Sequence, residues 1–124
     1  MQFTLPHLSP TQKGREAEQL AVSFLKKKGL KILQQNYSTK YAEIDIIARE
    51  KKTIIAIEVK SGIYDLDFLL ARIDYRKRKK IERALEQYCK ENDYLSFSQR
   101  FDIIIILMPQ KEIHYYPEES FYES

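Results

Sequence analysis

The chain has 124 residues, of which 44% are apolar, and its 21 Lys and Arg against 18 Asp and Glu leave a formal net charge of +3. This size and composition predict a single domain over residues 1–124, with 1–9 flexible, and exclude a disordered tail or a multidomain enzyme. Cys89 is the single cysteine, so a disulfide scaffold is excluded and a reducing, cytoplasmic compartment is expected. No apolar run is long enough to cross a membrane, and no secretory signal pattern is present.

A first helix is predicted to begin at Pro10, with Ser9 as its N-cap, and to end before Gly29. At the helical period of about 3.6 residues its apolar side chains form one arc. This arc contains Ala17, Leu20, Ala21, Val22, Phe24 and Leu25. Glu18 falls inside the arc, and a carboxylate on the apolar side of a helix must lie near its rim, be paired or take part in chemistry.

The next segments predict three strands. A short edge strand covers residues 30–36, and two β-branched stretches, 43–49 and 53–60, form a tight hairpin around Glu50, Lys51 and Lys52. Residues 61–74 are predicted to form a loop with at most one helical turn.

The second half of the chain predicts a helix followed by two strands. Asp74 would cap the helix, which continues to about residue 92 with a buried side formed by Ile81, Ala84, Leu85, Tyr88 and Cys89. Residues 102–108 are apolar on both faces and predict an interior strand, while 112–116 predict one more. The fold class is therefore α/β, with a mixed five-stranded sheet flanked by helices.

Four charged residues on the hairpin point to chemistry. If the turn centres on residues 51 and 52, strand alternation places Asp45 opposite Glu58 and Glu43 opposite Lys60, all on one face. Carboxylates about 5 Å apart repel by roughly 3 kcal/mol at an effective dielectric near 20, so a cation is expected. Lys60 supplies part of the positive charge, and Mg²⁺, which binds carboxylate oxygens, could supply the rest. The alternative is a solvated charge ladder on an exposed face, which is the commoner arrangement for a single hairpin.

Two observations favour the metal site over the charge ladder. Asp45 precedes Ile46-Ile47-Ala48 and Glu58 follows Ile54-Ile55-Ala56-Ile57, so both carboxylates belong to segments that should be partly buried. Glu18, from the apolar sector of the first helix, would complete a cluster of three carboxylates.

Asp45, followed after twelve residues by Glu58-Val59-Lys60, resembles the D…(D/E)xK signature of restriction-endonuclease-like nucleases. A wider string carries a more specific resemblance. It consists of Gly14 with Glu18 and Ala21, Asn36-Tyr37, Glu43-Ile44-Asp45, Glu58-Val59-Lys60, Lys77, Arg100-Phe101-Asp102 and Ile113-His114, ending near Phe121. In this order the string resembles the YraN-type family of small bacterial uncharacterised proteins, which is similar in fold to archaeal Holliday-junction resolvases and regarded as nucleases.

The resemblance implies a restriction-endonuclease-like fold and a metal-dependent endonuclease that hydrolyses phosphodiester bonds of nucleic acid, such as branched or single-stranded DNA. Asp45, Glu58 and the backbone carbonyl of Val59 would bind Mg²⁺ or Mn²⁺, with Glu18 as a further direct or water-mediated ligand. Lys60 would orient or activate the attacking water and stabilise the transition-state charge.

Three positions depart from the family pattern. Ser38 and Gly62 stand where arginines are common, and Ala42 stands where glycine is usual. Without these two arginines, the protein would bind a substrate phosphate more weakly. Their loss favours an alternative function, a catalytically weak or inactive nucleic-acid-binding module of the same fold. A protein-interaction domain with a simple salt-bridge ladder also stays open.

A basic run opens the second helix and comprises Arg76, Lys77, Arg78, Lys79 and Lys80. Cations are unfavourable at a helix N-terminus, so a neighbouring phosphate backbone, such as that of DNA, would relieve the run. A solvated helix face explains the last three residues equally well, whereas Lys77 projects inward. Tyr41 and Tyr64 flank the predicted site and are candidates for base stacking. One chain presents one site, so cleavage of both strands would require a homodimer.

Overall fold

The computed structural model describes residues 10–118, which form one sheet and its covering helices. The elements are α1 (Pro10–Lys27), β1 (Lys31–Ser38), β2 (Glu43–Glu50), β3 (Thr53–Gly62), α2 (Leu66–Ala71), a 3₁₀ turn (Tyr75–Lys77), α3 (Arg78–Glu91), β4 (Ser98–Leu107) and β5 (Glu112–Tyr116). The sheet order is β1-β2-β3-β4-β5, in which β3 and β4 are parallel and the other neighbours antiparallel. The predicted mixed five-stranded α/β sheet is confirmed, while the predicted flexible segment 1–9 lies outside the described residues.

Helix α1 covers one face of the sheet. Its predicted apolar arc packs there against Ile46, Ile57 and Ile104, so the assignment of its buried side is confirmed. Gly29 ends the helix with a φ of 95°, a left-handed conformation that glycine adopts readily. The amide of Leu30 donates to the carbonyl of Leu25 at 3.1 Å, which closes the last turn before β1.

Helix α3 covers the opposite face. Its five predicted inward residues are all buried, including Cys89. Along β4, Ile103 and Ile105 pack in the α3 layer, and Ile104 and Ile106 pack in the α1 layer. The predicted interior strand is therefore confirmed as buried on both faces, and it extends further toward its N-terminus than expected.

The connection from β3 to α3 differs from the prediction. Residues 61–74 continue β3 to Gly62 and then form the six-residue helix α2, capped by an Asp65 carboxylate that accepts from the Phe68 amide at 2.8 Å. Asp74 is not the N-cap of α3; its carboxylate accepts from the Arg76 amide at 3.0 Å within the 3₁₀ turn. The helix begins at Arg78, four residues after Asp74, and its N-cap is Lys77, whose side chain has no oxygen for capping. Across residues 10–118, the structure contains no helix long and apolar enough to cross a membrane.

Candidate metal centre

The hairpin of β2 and β3 has the predicted register. A two-residue turn at Lys51 and Lys52 joins the strands, and the pairs run from Glu50 opposite Thr53 to Ile46 opposite Ile57. The backbone pairing stops there, one step before Asp45 and Glu58. The two carboxylates therefore lie where the strands separate, close together but not as a paired rung of the ladder.

Asp45 is anchored on the neighbouring strand. Its Oδ2 accepts a hydrogen bond from the Val59 amide at 2.8 Å, so the carboxylate occupies the place that a backbone carbonyl of β2 would take in a continued ladder. The N–H and C=O of one residue in a strand point toward the same neighbour. The Val59 carbonyl is thereby directed into the opening that holds the Asp45 carboxylate, as the predicted ligand set requires.

The prediction that four charged side chains share one face is only partly correct. Ala56 belongs to the α3 layer and Ile57 to the α1 layer, so alternation directs Glu58 and Lys60 to the α3 side. Alternation fails at Asp45, because Ile44 and Ile46 pack in opposite layers. The register places Asp45 opposite Asn36, whose φ of 52° interrupts the regular strand conformation of β1. Asp45 consequently points into the gap between strands, and exposed Glu43 accepts a hydrogen bond from Ser38.

Burial makes Asp45 a weak acid. Loss of solvent raises the pKa of the Asp45 carboxyl to about 6, and repulsion from Glu18, Glu58 and Glu43 adds to the rise, while the hydrogen bond from Val59 opposes it. A carboxylate so poorly solvated gains from a nearby cation.

Glu58 experiences a similar environment with more positive charge. Burial raises its pKa, Lys60 and Lys77 lower it, and Asp74 raises it. The cations of β3 and of the 3₁₀ turn thus act on Glu58, while the acidic neighbours Glu18 and Glu43 act on Asp45. Burial thus raises the pKa of both carboxyls, and the two differ in the charged groups that act on them.

Both carboxylates line one cavity of about 480 Å³ between the β2–β3 hairpin and the start of α3, here called the carboxylate cavity. Its lining includes the predicted residues Asp45, Glu58, Val59, Lys60 and Lys77, together with Lys80 and Tyr41. The structure therefore brings the hairpin residues and part of the basic run to one place.

Glu18 stays outside this cavity. It lies on α1, which covers the other face of the sheet, and repels Asp45 from that side. Burial raises the pKa of Glu18, a hydrogen bond from the Asn36 side chain lowers it, and Glu43 raises it. Within the part of the chain that is described, no three Asp, Glu, His or Cys side chains converge closely enough to hold a metal ion. A full carboxylate triad is therefore not assembled.

The remaining donors still suit a hard cation. Mg²⁺ characteristically binds through one or two carboxylates, with waters and substrate phosphates completing its shell. Asp45, Glu58 and the Val59 carbonyl provide oxygen donors of this kind at one edge of the carboxylate cavity. The chemistry of this donor set fits Mg²⁺ or Mn²⁺ without Glu18.

The basic run divides between two surfaces. Lys77 and Lys80 line the carboxylate cavity, beside Lys60. Lys79 lines a second cavity of about 460 Å³ on the other side of α3. Only the first two therefore face the carboxylates.

The two arginines of the run form ion pairs within the chain. Arg76 contacts Asp74 at 3.1 Å, and Arg78 contacts Glu82 at 2.9 Å and Glu118 at 2.8 Å. Half-buried Arg78 is thus part of the packing between α3 and the segment after β5. These pairs make both arginines less available to a phosphate than the two cavity lysines.

Sequence reasoning missed a cationic group around Tyr41, a residue that lines the carboxylate cavity. The ammonium of Lys40 lies 5.3 Å, and the guanidinium of Arg83 5.7 Å, from the centre of the Tyr41 ring. Thr39 fixes this loop, because its hydroxyl oxygen accepts from the Tyr41 amide at 3.0 Å. The sequence could have indicated part of this group, because Arg83 follows Lys80 by three residues and such residues are neighbours on a helix surface.

A second charged cluster is structural. Fully buried Asp102 accepts two hydrogen bonds from Arg100, each 3.0 Å long, together with the Tyr115 hydroxyl and the Glu118 amide. Arg100 and Asp102, which belong to the string that resembles the YraN-type family, thus pair with each other. Every oxygen of Asp102 is satisfied by the protein, so the cluster stabilises the join between β4 and β5.

The fold and the site together define a small α/β protein whose cavity brings carboxylates and lysines together beside the basic start of a helix. Over residues 17–106 the chain matches the model of the uncharacterised protein family UPF0102. The chain belongs to this family, and the resemblance to YraN-type proteins is thereby confirmed. The matched region contains both strands of the hairpin and the whole lining of the carboxylate cavity.

Relatives from distant bacteria support the assignment. A UPF0102 protein of Thermotoga petrophila is 51% identical over 78 residues, which cover 63% of this chain and 71% of the relative. A UPF0102 protein of Clostridioides difficile strain 630 is 37% identical over 105 residues, 84% of this chain and 92% of the relative. One of Persephonella marina is 38% identical over 96 residues, 77% and 83% of the two chains.

Proposed function

We propose that the protein is a metal-dependent endonuclease that hydrolyses phosphodiester bonds of nucleic acid, DNA in the first instance, at the carboxylate cavity. One observation carries the proposal. The Asp45 carboxylate is held on the Val59 amide in the opening between β2 and β3, and it shares its cavity with Glu58 and Lys60. Two half-buried carboxylates face a gap with a lysine beside them. Phosphoryl chemistry with a divalent ion needs this arrangement.

Asp45, Glu58 and the Val59 carbonyl would hold Mg²⁺ or Mn²⁺, which when bound supplies positive charge beside the phosphate and lowers the pKa of a coordinated water. Lys60 lies on the same side of β3 as Glu58 and would orient the attacking water and offset negative charge on the phosphate. Lys77 and Lys80 would attract the phosphate backbone to the opening. Glu18 would act through repulsion on Asp45, as a positioning residue on the far side of the sheet.

Partner and location follow from the same features. One chain carries one carboxylate cavity, so cleavage of both strands of a duplex or junction would use a homodimer. A cytoplasmic location fits a single buried thiol, Cys89, that has no second cysteine to pair with.

A second candidate is a nucleic-acid-binding module of the same fold without catalysis. The observation in its favour is the position of Glu18 outside the carboxylate cavity, which leaves a sparse ligand set. This module would bind nucleic acid with salt-sensitive affinity and release no products.

Two experiments distinguish the nuclease from the binding module. The protein is titrated calorimetrically with Mn²⁺ and is then incubated with single-stranded, duplex and branched DNA and with RNA. For the nuclease we expect uptake of Mn²⁺ and metal-stimulated cleavage, both reduced at least about tenfold by Asp45→Asn or Glu58→Gln. The matched controls are Asp93→Asn and Glu86→Gln, exposed carboxylates outside the cavity, and these should keep wild-type activity. Nucleic-acid binding without cleavage at any metal concentration would support the module instead. If the protein neither binds nor cleaves nucleic acid, both candidates are excluded.

A further inference from the structure

We propose that the nucleic acid at the carboxylate cavity is an unpaired strand, with bases stacked on Tyr64 and Phe68 and its backbone running along cations of α3. The inference rests on the proposed nuclease function and names the substrate class of that site. It joins two surface features that the metal centre does not explain.

The first feature is an exposed aromatic pair, Tyr64 and Phe68. Their ring centroids are 4.4 Å apart at an interplanar angle of 37°, and their exposures are 55% and 41%. Ile63 beside them is 76% exposed. Large apolar side chains clustered on a surface mark a binding site more often than isolated ones do. The guanidinium of Arg72 lies 5.5 Å from the Phe68 ring and adds a cation to the same surface.

The aromatic pair lies just beyond the end of β3, where contacts of α2 position it. The Asp65 carboxylate fixes the start of α2 through the Phe68 amide, and Leu69 is buried. Gly62 permits this close approach, since a Cβ there would lie 3.1 Å from Leu69 Cδ2. Tyr64 follows Lys60 by four residues, so their Cα atoms are at most about 14 Å apart. A stacked strand spans that distance with about four nucleotides.

The second feature is a cation row formed by Lys77 and Lys80, which line the carboxylate cavity, and by Arg83, three residues further along α3, which contacts Tyr41 of that cavity and also lines the second cavity. Residues three apart on a helix rise by about 4.5 Å and share a face. The row continues through Tyr41 to Lys40, which contacts the same ring as Arg83. None of these four exposed cations forms an ion pair with another residue in the 10–118 range. They are therefore available to the phosphates of one backbone.

An unpaired strand fits both features better than a duplex. Base faces are hidden within a duplex, whereas the bases of a single strand stack on exposed aromatic rings. A duplex is also stiff over about 50 nm, so it follows a curved path over a protein surface less readily than a single strand does. A single strand can enter the carboxylate cavity and contact both the aromatic pair and the cation row.

The test measures binding by fluorescence anisotropy in EDTA, so that cleavage does not interfere. The probe is a labelled oligodeoxynucleotide of about 20 residues, alone and annealed to its complement, a length above the site size of most single-strand binders. We expect the single strand to bind about tenfold more tightly than the duplex. The double variant Tyr64→Leu with Phe68→Leu should lose about tenfold in single-strand affinity and less than twofold in duplex affinity. Leu95→Ser, at an exposed apolar position elsewhere, is the matched control.

A second measurement tests the cation row. Lys80→Gln and Arg83→Gln should each reduce the slope of log affinity against log salt by about 0.7, the contribution of one phosphate contact on a single strand. Lys90→Gln, near the other end of α3, should leave the slope unchanged. Unchanged slopes in both row variants would contradict the proposed path of the backbone.

The outcomes separate this inference from the nuclease proposal. If the aromatic double variant keeps wild-type strand affinity while metal-stimulated cleavage persists, the inference is wrong and the nuclease stands. The inference is also wrong, and the nuclease stands, if light scattering shows that this variant breaks a dimer. The aromatic pair then contacts a second copy of the chain. If the single strand binds as expected but no metal produces cleavage, the strand preference stands and the nuclease is wrong.

Discussion

Replacing Asp45 by asparagine should stabilise the metal-free protein at neutral pH. Burial raises the pKa of this carboxyl from the ordinary 3.8 to about 6. A native pKa above the unfolded one means that the folded state holds its proton more tightly, so stability falls as pH rises from about 4 to about 7. The shift of about 2 units corresponds to about 3 kcal/mol at pH 7.5, and the penalty vanishes below the unfolded pKa.

Asparagine removes the charge and keeps an oxygen that can accept from Val59. Its amide nitrogen needs a partner that the carboxylate did not, which reduces the expected gain to about 1–2 kcal/mol at pH 7.5. At pH 4 the gain should be close to zero. The gain in free energy of unfolding is measured by urea unfolding in EDTA at both pH values. The control variant is Asp93→Asn. A variant less stable than wild type at pH 7.5 would refute the account of Asp45 as a poorly solvated charge.

Other predictions concern the metal, the charged cluster and the end of β3. Mn²⁺ at about 100 times its dissociation constant should stabilise the wild type by about 2.7 kcal/mol in thermal unfolding, an effect that Glu58→Gln removes. Asp102→Asn should destabilise by about 3–5 kcal/mol in urea, since it leaves Arg100 without its buried charge partner; a loss below 1 kcal/mol would contradict this. Gly62→Ala should cost about 1 kcal/mol and weaken single-strand binding by displacing Leu69, and unchanged values in both assays would show that α2 adapts freely.

Much of the scaffold could be predicted because its signals are local and periodic. The arc of α1, the β-branched hairpin and the doubly apolar β4 each follow from residue spacing, and all are confirmed. Helix α2 was predicted only as one helical turn in a loop, because six residues are too few to establish a helical period. Asp65, three positions before Phe68, is nevertheless a capping signal. The predicted cap at Asp74 was wrong because a 3₁₀ turn uses that carboxylate first.

The site was harder to predict because it depends on distant contacts. Register brings Asp45 near Glu58, but the end of the ladder reflects competition for the Val59 amide between a side chain and a backbone carbonyl. Sequence patterns do not decide that competition. Glu18 was expected to join the carboxylates, yet its place depends on which face of the sheet α1 covers. Arg78 likewise has a partner, Glu118, that is forty residues away in the chain.

The turn at Lys51 and Lys52 controls a site that it never touches. Six residues of extended chain, about 20 Å, separate Lys51 from Asp45. If one residue is inserted here and the two-residue turn is kept, β3 shifts against β2 by one position and each side chain beyond exchanges faces. Asp45 would then meet a different amide, and Glu58 would turn toward α1. Loop length at the far tip of the hairpin is therefore under the same constraint as the acidic residues themselves.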